Sequence, residues 1–245
     1  MFPRPPPRPH PSALRPAPPP SPAPLVDAVL LDYGGVVRRE DPADFDDFAR
    51  TVGIPPGRLW AAFHDIPEYA LSRTGRLDAA GYRAGVLSAL AAYLDPADAE
   101  RTLAAFDELR RQDAPVLPEI ATLLARLRPA VRLGLLSNAG GGAHARLDEA
   151  GVSALFDDVV TSGDVGLAKP DPRIFLLAAR RLGIEPARCL FVDDTMRHVE
   201  GARDVGMRAH HHHRLRHREL LEVLSSLGLP VADLLADCLP AREST

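Results

Sequence analysis

Apolar residues crowd positions 25–31, where Leu25, Val26, Ala28, Val29, Leu30 and Leu31 surround a single charge, Asp27. A run this short and this apolar predicts a buried strand. It delivers Asp32 to its C-terminal end, and Gly34 and Gly35 then let the backbone turn sharply. From about 41 to 113 the apolar residues recur at helical spacing with no strand pattern between them. Phe45, Phe48 and Val52 mark one helix from Pro42, and Leu59, Trp60 and Phe63 a second, ended by Pro67. Asp78 reads as the N-cap of a helix over Ala79–Leu94, and Asp95-Pro96 opens another that runs through Arg111. These helices read as a small subdomain inserted after the first strand.

From Pro115 the rhythm changes to alternating helix and strand. Helices are predicted over Leu117–Leu127, Gly142–Ala150, from Asp171-Pro172 to Gly183, and over Met196–Val205. Strands are predicted at Val131–Leu136, Val159-Val160, Leu190–Val192 and Met207–His210. Such alternation implies an α/β fold, a parallel sheet with helices on both faces. Residues 1–24 hold 12 of the 25 prolines, three arginines and no acid. That segment is expected to be a disordered or extended extension, dispensable for activity, with neither a secretory h-region nor a transit-peptide pattern.

Composition narrows the class. Hydrophobic residues make up 46% of the 245 positions, enough for a sizeable core. A net charge of −4 gives no reason to expect a nucleic-acid partner, and no apolar run approaches the roughly 18 residues of a membrane span. Two cysteines, Cys189 and Cys238, argue against a disulfide framework and for a reducing, cytoplasmic setting. Both read as structural. Of the 29 Lys and Arg residues only one is a lysine, Lys169. In a chain so biased toward arginine, a retained lysine marks a place where a compact point charge suits and a planar fork does not.

Polar residues sit at three further strand ends, the edge at which open α/β sheets bind ligands. Ser137 and Asn138 precede Gly140, Gly141 and Gly142 at a helix start, where a hydroxyl and backbone N–H groups can form an anion site, or simply cap the helix. Lys169-Pro170-Asp171-Pro172 places the lysine just before a helix N-cap. Asp193 and Asp194 are adjacent acids that repel each other unless a cation is present, and Mg²⁺ prefers oxygen ligands.

Asp32 in its apolar strand, Ser137-Asn138, Lys169-Pro170-Asp171-Pro172 and Asp193-Asp194 resemble, in order and spacing, the four motifs of the haloacid dehalogenase superfamily. The likeness spans about residues 25–225, and the insertion resembles the helical C1 cap of its subfamily I. The resemblance implies a Rossmann-like, doubly wound core over 25–37 and 114–228, a cap over 38–113 and a C-terminal tail over 229–245. It implies a phosphatase acting on a small phosphorylated metabolite such as a sugar phosphate. Asp32 would be the nucleophile, Ser137, Asn138 and Lys169 would bind phosphate, and Asp32, the Gly34 carbonyl, Asp194 and Asp193 would hold Mg²⁺.

The sequence departs from that pattern once. Phosphatases of the superfamily usually carry a second Asp two residues after the nucleophile, as general acid and base; here that position is Gly34. A proton donor from the cap is one remedy, and His64, Glu68, Tyr69 and Arg73 are its loose candidates. Rival readings are a phosphometabolite-binding module without turnover and a 2-haloacid dehalogenase, which lacks the second Asp but has no use for an acidic pair. Arg38 and Arg39 either contact an anionic substrate or face solvent. The run His210–His213 reads as a solvated strand end, because alternate side chains of a strand face opposite ways. The sequence leaves the oligomeric state open.

Overall fold

Three Asp-Pro pairs start helices in the same way. The Asp carboxylate accepts a backbone N–H of the first turn and the proline occupies the first helical position, where its missing N–H costs nothing. Asp41 accepts from the Ala43 amide at 2.9 Å, Asp95 from Asp98 at 2.8 Å and Asp171 from Arg173 at 2.9 Å. Asp78 caps its helix without a proline, accepting from Gly81 at 2.8 Å. The computed structural model describes residues 23–213 and 216–237. The predicted Pro-rich extension up to residue 22, Cys238 and the end of the predicted tail lie outside them.

The first strand, β1 (Ala28–Leu31), is followed by five helices: α1 (Pro42–Thr51), α2 (Arg58–His64), α3 (Pro67–Arg73), α4 (Ala79–Leu90) and α5 (Pro96–Gln112). The chain then alternates: α6 (Pro118–Leu127), β2 (Arg132–Ser137), α7 (Ala143–Glu149), β3 (Asp158–Thr161), α8 (Ser162–Val165), α9 (Pro172–Leu182), β4 (Cys189–Asp193), α10 (Met196–Asp204) and β5 (Arg208–His211). Two more helices close it, α11 (His217–Ser226) and α12 (Ala232–Asp237). Every strand pairing is parallel, in the order β3-β2-β1-β4-β5, so β1 lies at the centre.

Strand alternation decides which face each apolar residue serves. Val29 and Leu31 join the core on the α6 and α11 side, whereas Ala28 and Leu30 join the core on the α9 and α10 side. A third, separate cluster is built from residues 45–106 alone, with Phe45 packed against Trp60 at 4.9 Å and Phe106 at 4.7 Å.

Several expectations are corrected. Pro67 does not end the helix of Leu59 and Phe63, which stops at His64; it opens α3 at the first helical position, the role its locked φ suits. The helix from Ala79 ends at Leu90, short of Leu94. The core does not stop at 228, since Leu229 and Val231 are buried in the α6–α11 cluster. The His210–His213 run is not a solvated end: His212 is buried, with the His217 ring 5.5 Å away at the start of α11. Burial lowers His212 to about 4, and α11 is the element whose cover was not foreseen.

The α9 cap yields a stability test. The side-chain and backbone hydrogen bonds of Arg173 hold Asp171 down at about 2, against 3.8 for a free carboxyl. A depressed folded value means stabilisation that is complete above the unfolded value and lost as pH falls through the folded one. Asp171→Ala should cost about 1 kcal/mol in urea unfolding at pH 7. The difference from wild type should narrow as pH falls from about 4 to about 2; a pH-independent difference would show that the charged cap is not its source.

Candidate active site

The amide of Asp32 still belongs to the sheet, donating to the Val192 carbonyl at 2.9 Å, so its carboxylate emerges at the C-terminal edge of the central strand. Ser137 closes β2 on one side and Asp193 closes β4 on the other. The chain leaves β1 toward β2 and β3 and later crosses to β4 and β5, which puts Asp32 at the crevice where strand order reverses.

Lys169 reaches this edge from the loop before α9 and is buried. Its Nζ donates to Asp32 Oδ1 at 2.7 Å, to Asp193 Oδ2 at 2.7 Å and to the Leu136 carbonyl at 2.8 Å. An ammonium has three donors, and all three are used. The flat fork of an arginine cannot direct three donors to three sides from one atom, which accounts for the retained lysine. Asn138 fixes the lysine's backbone, donating from Nδ2 to its carbonyl at 3.0 Å and accepting its N–H at 2.8 Å.

The two acids bound to Lys169 differ in environment. Asp193 is fully buried; burial pushes its carboxyl up, but the Lys169 charge and a hydrogen bond from His198 outweigh that and bring it to about 2. Its Oδ1 also accepts the Thr195 amide at 2.8 Å, and His198 Nδ1 lies 3.1 Å away. For Asp32 burial prevails over Lys169, with the Asp193 charge adding to it, and its carboxyl rises to about 7. The nearby Asp194 charge pushes in the same direction.

Asp194 is the third. Oxygen atoms of Asp32, Asp193 and Asp194 lie within 4.8 Å of one another. An all-oxygen set with excess negative charge suits a hard divalent cation such as Mg²⁺. The turn after Asp32 is shaped around it: Gly35 adopts φ +81°, and a Cβ there would sit 2.3 Å from Asp194 Oδ2.

Ser137 is buried beneath the edge and its hydroxyl has no hydrogen-bond partner among the described residues, leaving it available to an anion. The expected anion site at the α7 N-terminus is corrected. Its Gly142 and His144 amides donate to Asp164 at 2.7 and 3.1 Å, and the Ala139 amide donates to Ser162 Oγ at 3.0 Å. A carboxylate from α8 therefore occupies those donors. The Asn138 side chain serves Lys169, which is compatible with the phosphate role expected of the Asn138 backbone.

A cavity of about 780 Å³ opens above Asp32, Ser137 and Lys169, and residues of α2 and α3 form its other wall. His64, Tyr69 and Arg73 line it, whereas Glu68 does not and packs against Gly85. The Arg73 guanidinium lies 4.3 Å over the Tyr69 ring, and its Nε is buried without a partner. Arg38 borders the cavity, but Arg39 pairs with Asp44 at 2.6 Å on the surface. The sequence reading missed His198, Asp164 and Glu40. His198 had a weak signal, a histidine one turn into the helix behind the acidic pair; nothing local marked the others. His211, from the run assigned to solvent, reaches the site with Nε2 at 2.9 Å from the Asp194 carbonyl.

Comparison with known proteins is consistent with this geometry. Residues 17–206 match the family model of haloacid dehalogenase-like hydrolases. A phosphoserine phosphatase of Thermus thermophilus is 30% identical over 214 residues, covering 74% of this chain and 86% of that protein. A phosphatase of Mycobacterium tuberculosis is 40% identical over 111 residues, and this match covers 42% of the chain and about half, 51%, of that relative. Among solved structures, a family enzyme of Bacteroides thetaiotaomicron in complex with magnesium and inorganic phosphate superposes with a TM-score of 0.60 at 20% identity, covering 78% of this chain and 96% of that one. An L-2-haloacid dehalogenase of Xanthobacter autotrophicus gives 0.57 at 22% identity, covering 86% and 87%. With the family model matched over residues 17–206 and Asp32, Lys169, Asp193 and Asp194 gathered at one sheet edge, this chain belongs to the haloacid dehalogenase-like hydrolases.

Proposed function

We propose that the protein is a Mg²⁺-dependent phosphatase that hydrolyses a small phosphorylated metabolite, of the size of a sugar phosphate, through a phosphoryl group carried on Asp32. The observation that carries this reading is the grouping of Asp193 and Asp194 with Asp32: Asp32 and Asp193 both pair with the Lys169 ammonium, and Asp194 lies beside them. Displacement of halide from carbon by a single carboxylate has no use for two further acids, whereas phosphoryl transfer needs a cation and the ligands to hold it. The names of the matched phosphatases of T. thermophilus and M. tuberculosis agree with it.

In this reading Lys169 holds Asp32 Oδ1, which leaves Oδ2 to attack phosphorus in line with the leaving oxygen. The free Ser137 hydroxyl and the Asn138 backbone bind phosphoryl oxygens. Asp32, Asp194 and the Gly34 carbonyl hold the cation, with Asp193 as a ligand or as the acid behind them. When bound, Mg²⁺ would neutralise charge shared by the phosphoryl group and the carboxylates. Asp193, pinned by Lys169, Thr195 and His198, keeps the ammonium in place. Residues 38–113 form the cap that selects substrate, and Arg73 presents its guanidinium to an anionic part of it. No helix among the described residues is long and apolar enough to cross a membrane, and Cys189 is a free, buried thiol, which supports a cytoplasmic setting.

The test is turnover of p-nitrophenyl phosphate with Mg²⁺ and with EDTA, for wild type and Asp32→Asn. Hydrolysis that requires both Mg²⁺ and Asp32 is expected; hydrolysis indifferent to either would contradict the reading. A second measurement probes the framework without activity. Lys169→Met leaves two buried carboxylates without their cation and should destabilise the protein by about 3–5 kcal/mol in EDTA. A loss below about 1 kcal/mol would show that the ammonium does not hold the acids together.

A further inference from the structure

Cleaving an unactivated phosphate ester requires a proton for the departing oxygen, and regenerating Asp32 requires a base for the attacking water. None of the residues given a role above supplies either. We propose that Glu40 does both, as the catalytic acid and base of this site. The inference rests on the phosphatase reading and adds a residue to it.

The backbone turn brings Glu40 to Gly34, two residues after Asp32. The Arg38 amide donates to the Tyr33 carbonyl at 2.8 Å, and the Gly35 amide donates to the Arg38 carbonyl at 2.8 Å. This closed loop folds the chain back over the turn that follows Asp32. Glu40, two residues on, lays its carboxylate against Gly34: a Cβ on Gly34 would stand 2.1 Å from Glu40 Oε2. The carboxylate therefore fills the space that any side chain two residues after Asp32 would claim. Gly34 is what makes room for it.

Its surroundings suit proton transfer. Arg110 Nη2 donates to Oε1 at 2.9 Å and fixes the carboxylate, while Oε2 has no hydrogen-bond partner among the described residues. Both Glu40 and Asp32 face the cavity. Several other titratable groups on its walls are engaged. His198 is held by Asp193, the Tyr82 hydroxyl donates to the Phe63 carbonyl at 2.7 Å, and Asp113 and Asp107 face Arg38 and Arg83. His64 Nδ1 lies 3.0 Å from the Trp60 carbonyl and its ring stacks on Trp60 at 3.9 Å. Glu40 has one oxygen anchored and one open, on the cavity wall it shares with Asp32.

The proton balance closes over one cycle. As Asp32 Oδ2 bonds to phosphorus and the P–O ester bond breaks, the proton on Glu40 Oε2 moves to the leaving oxygen, giving an alcohol and a carboxylate. That carboxylate then takes a proton from water as the water oxygen bonds to phosphorus and the P–Oδ2 bond breaks. The proton that starts on Oε2 is the ester's own, since a phosphomonoester with a second pKa of about 6 brings one that Oε2 accepts on binding. Phosphate leaves with a proton returned from Oε2, and the Asp32 and Glu40 carboxylates are restored.

Glu40→Gln keeps an acceptor for Arg110 but cannot cycle a proton. On phenyl phosphate, a poor leaving group, it should lower turnover by about 10² or more. On p-nitrophenyl phosphate the loss should fall on the second step, giving a burst of p-nitrophenol equal to the enzyme and then slow turnover. Gly34→Asp combined with Glu40→Ala returns a carboxylate to the same space from the other strand of the turn, and should recover activity that Glu40→Ala alone lacks. Equal losses on both esters without a burst, no recovery in the double variant, or the leaving-group dependence appearing in His64→Gln instead would overturn the assignment. A wild type active through Asp32 with any of these outcomes overturns Glu40 alone. A wild type that turns over neither ester overturns the phosphatase reading together with it.

Discussion

A buried ammonium with three hydrogen bonds to give sets the terms for everything at this sheet edge. Lys169 has two carboxylates and a main-chain carbonyl as partners, and removing any one leaves a charge or a donor unpaired where water cannot compensate. The positions of those partners follow from the sheet. Asp32 and Asp193 end neighbouring parallel strands, and Leu136 lies one residue before the end of the strand on the other side. A parallel register between β1, β2 and β4 is therefore a requirement of the site as well as of the core. Asn138 and the Asp171 cap hold the lysine's loop from either side, one by its backbone and the other by starting α9.

Charge counting connects that geometry to chemistry. Lys169 pairs with Asp32 and Asp193, yet burial, with the neighbouring charges of Asp193 and Asp194 adding to it, still raises the Asp32 carboxyl. An arriving phosphate ester adds further negative charge. A divalent cation relieves both problems together, and this is why the cluster fits a phosphatase better than a halide-displacing enzyme.

The fold was legible because its signals are local. Uniformly apolar strands, Asp-Pro helix starts and glycine stops, such as Gly183, each act over a few residues, and together they place the alternating elements. Asp32, Lys169, Asp193 and Asp194 were legible because acids and a lone lysine at strand ends are uncommon without a purpose. Other features depend on tertiary contacts. Pro67 can end one helix or begin the next, and the short loop between α2 and α3 decides in favour of the second. The burial of His212 depends on α11, and Asp164 reaches the α7 amides only because α8 folds beside them. Glu40 shows the limit most clearly. In sequence it is one more acid after an Arg pair; its meaning comes from the space left by Gly34 and from the Arg38 turn that aims it there.

The proposed role of Asp32 as phosphoryl carrier, kept reactive by Lys169 and a cation, is open to rapid quenching of the protein with a phosphate ester and Mg²⁺, followed by peptide mass spectrometry. One phosphoryl group, labile to hydroxylamine, is expected on the peptide that contains Asp32, and none when Mg²⁺ is withheld. Ester turnover with that peptide unmodified at every quench time, or with the phosphoryl group on another residue, would contradict that role.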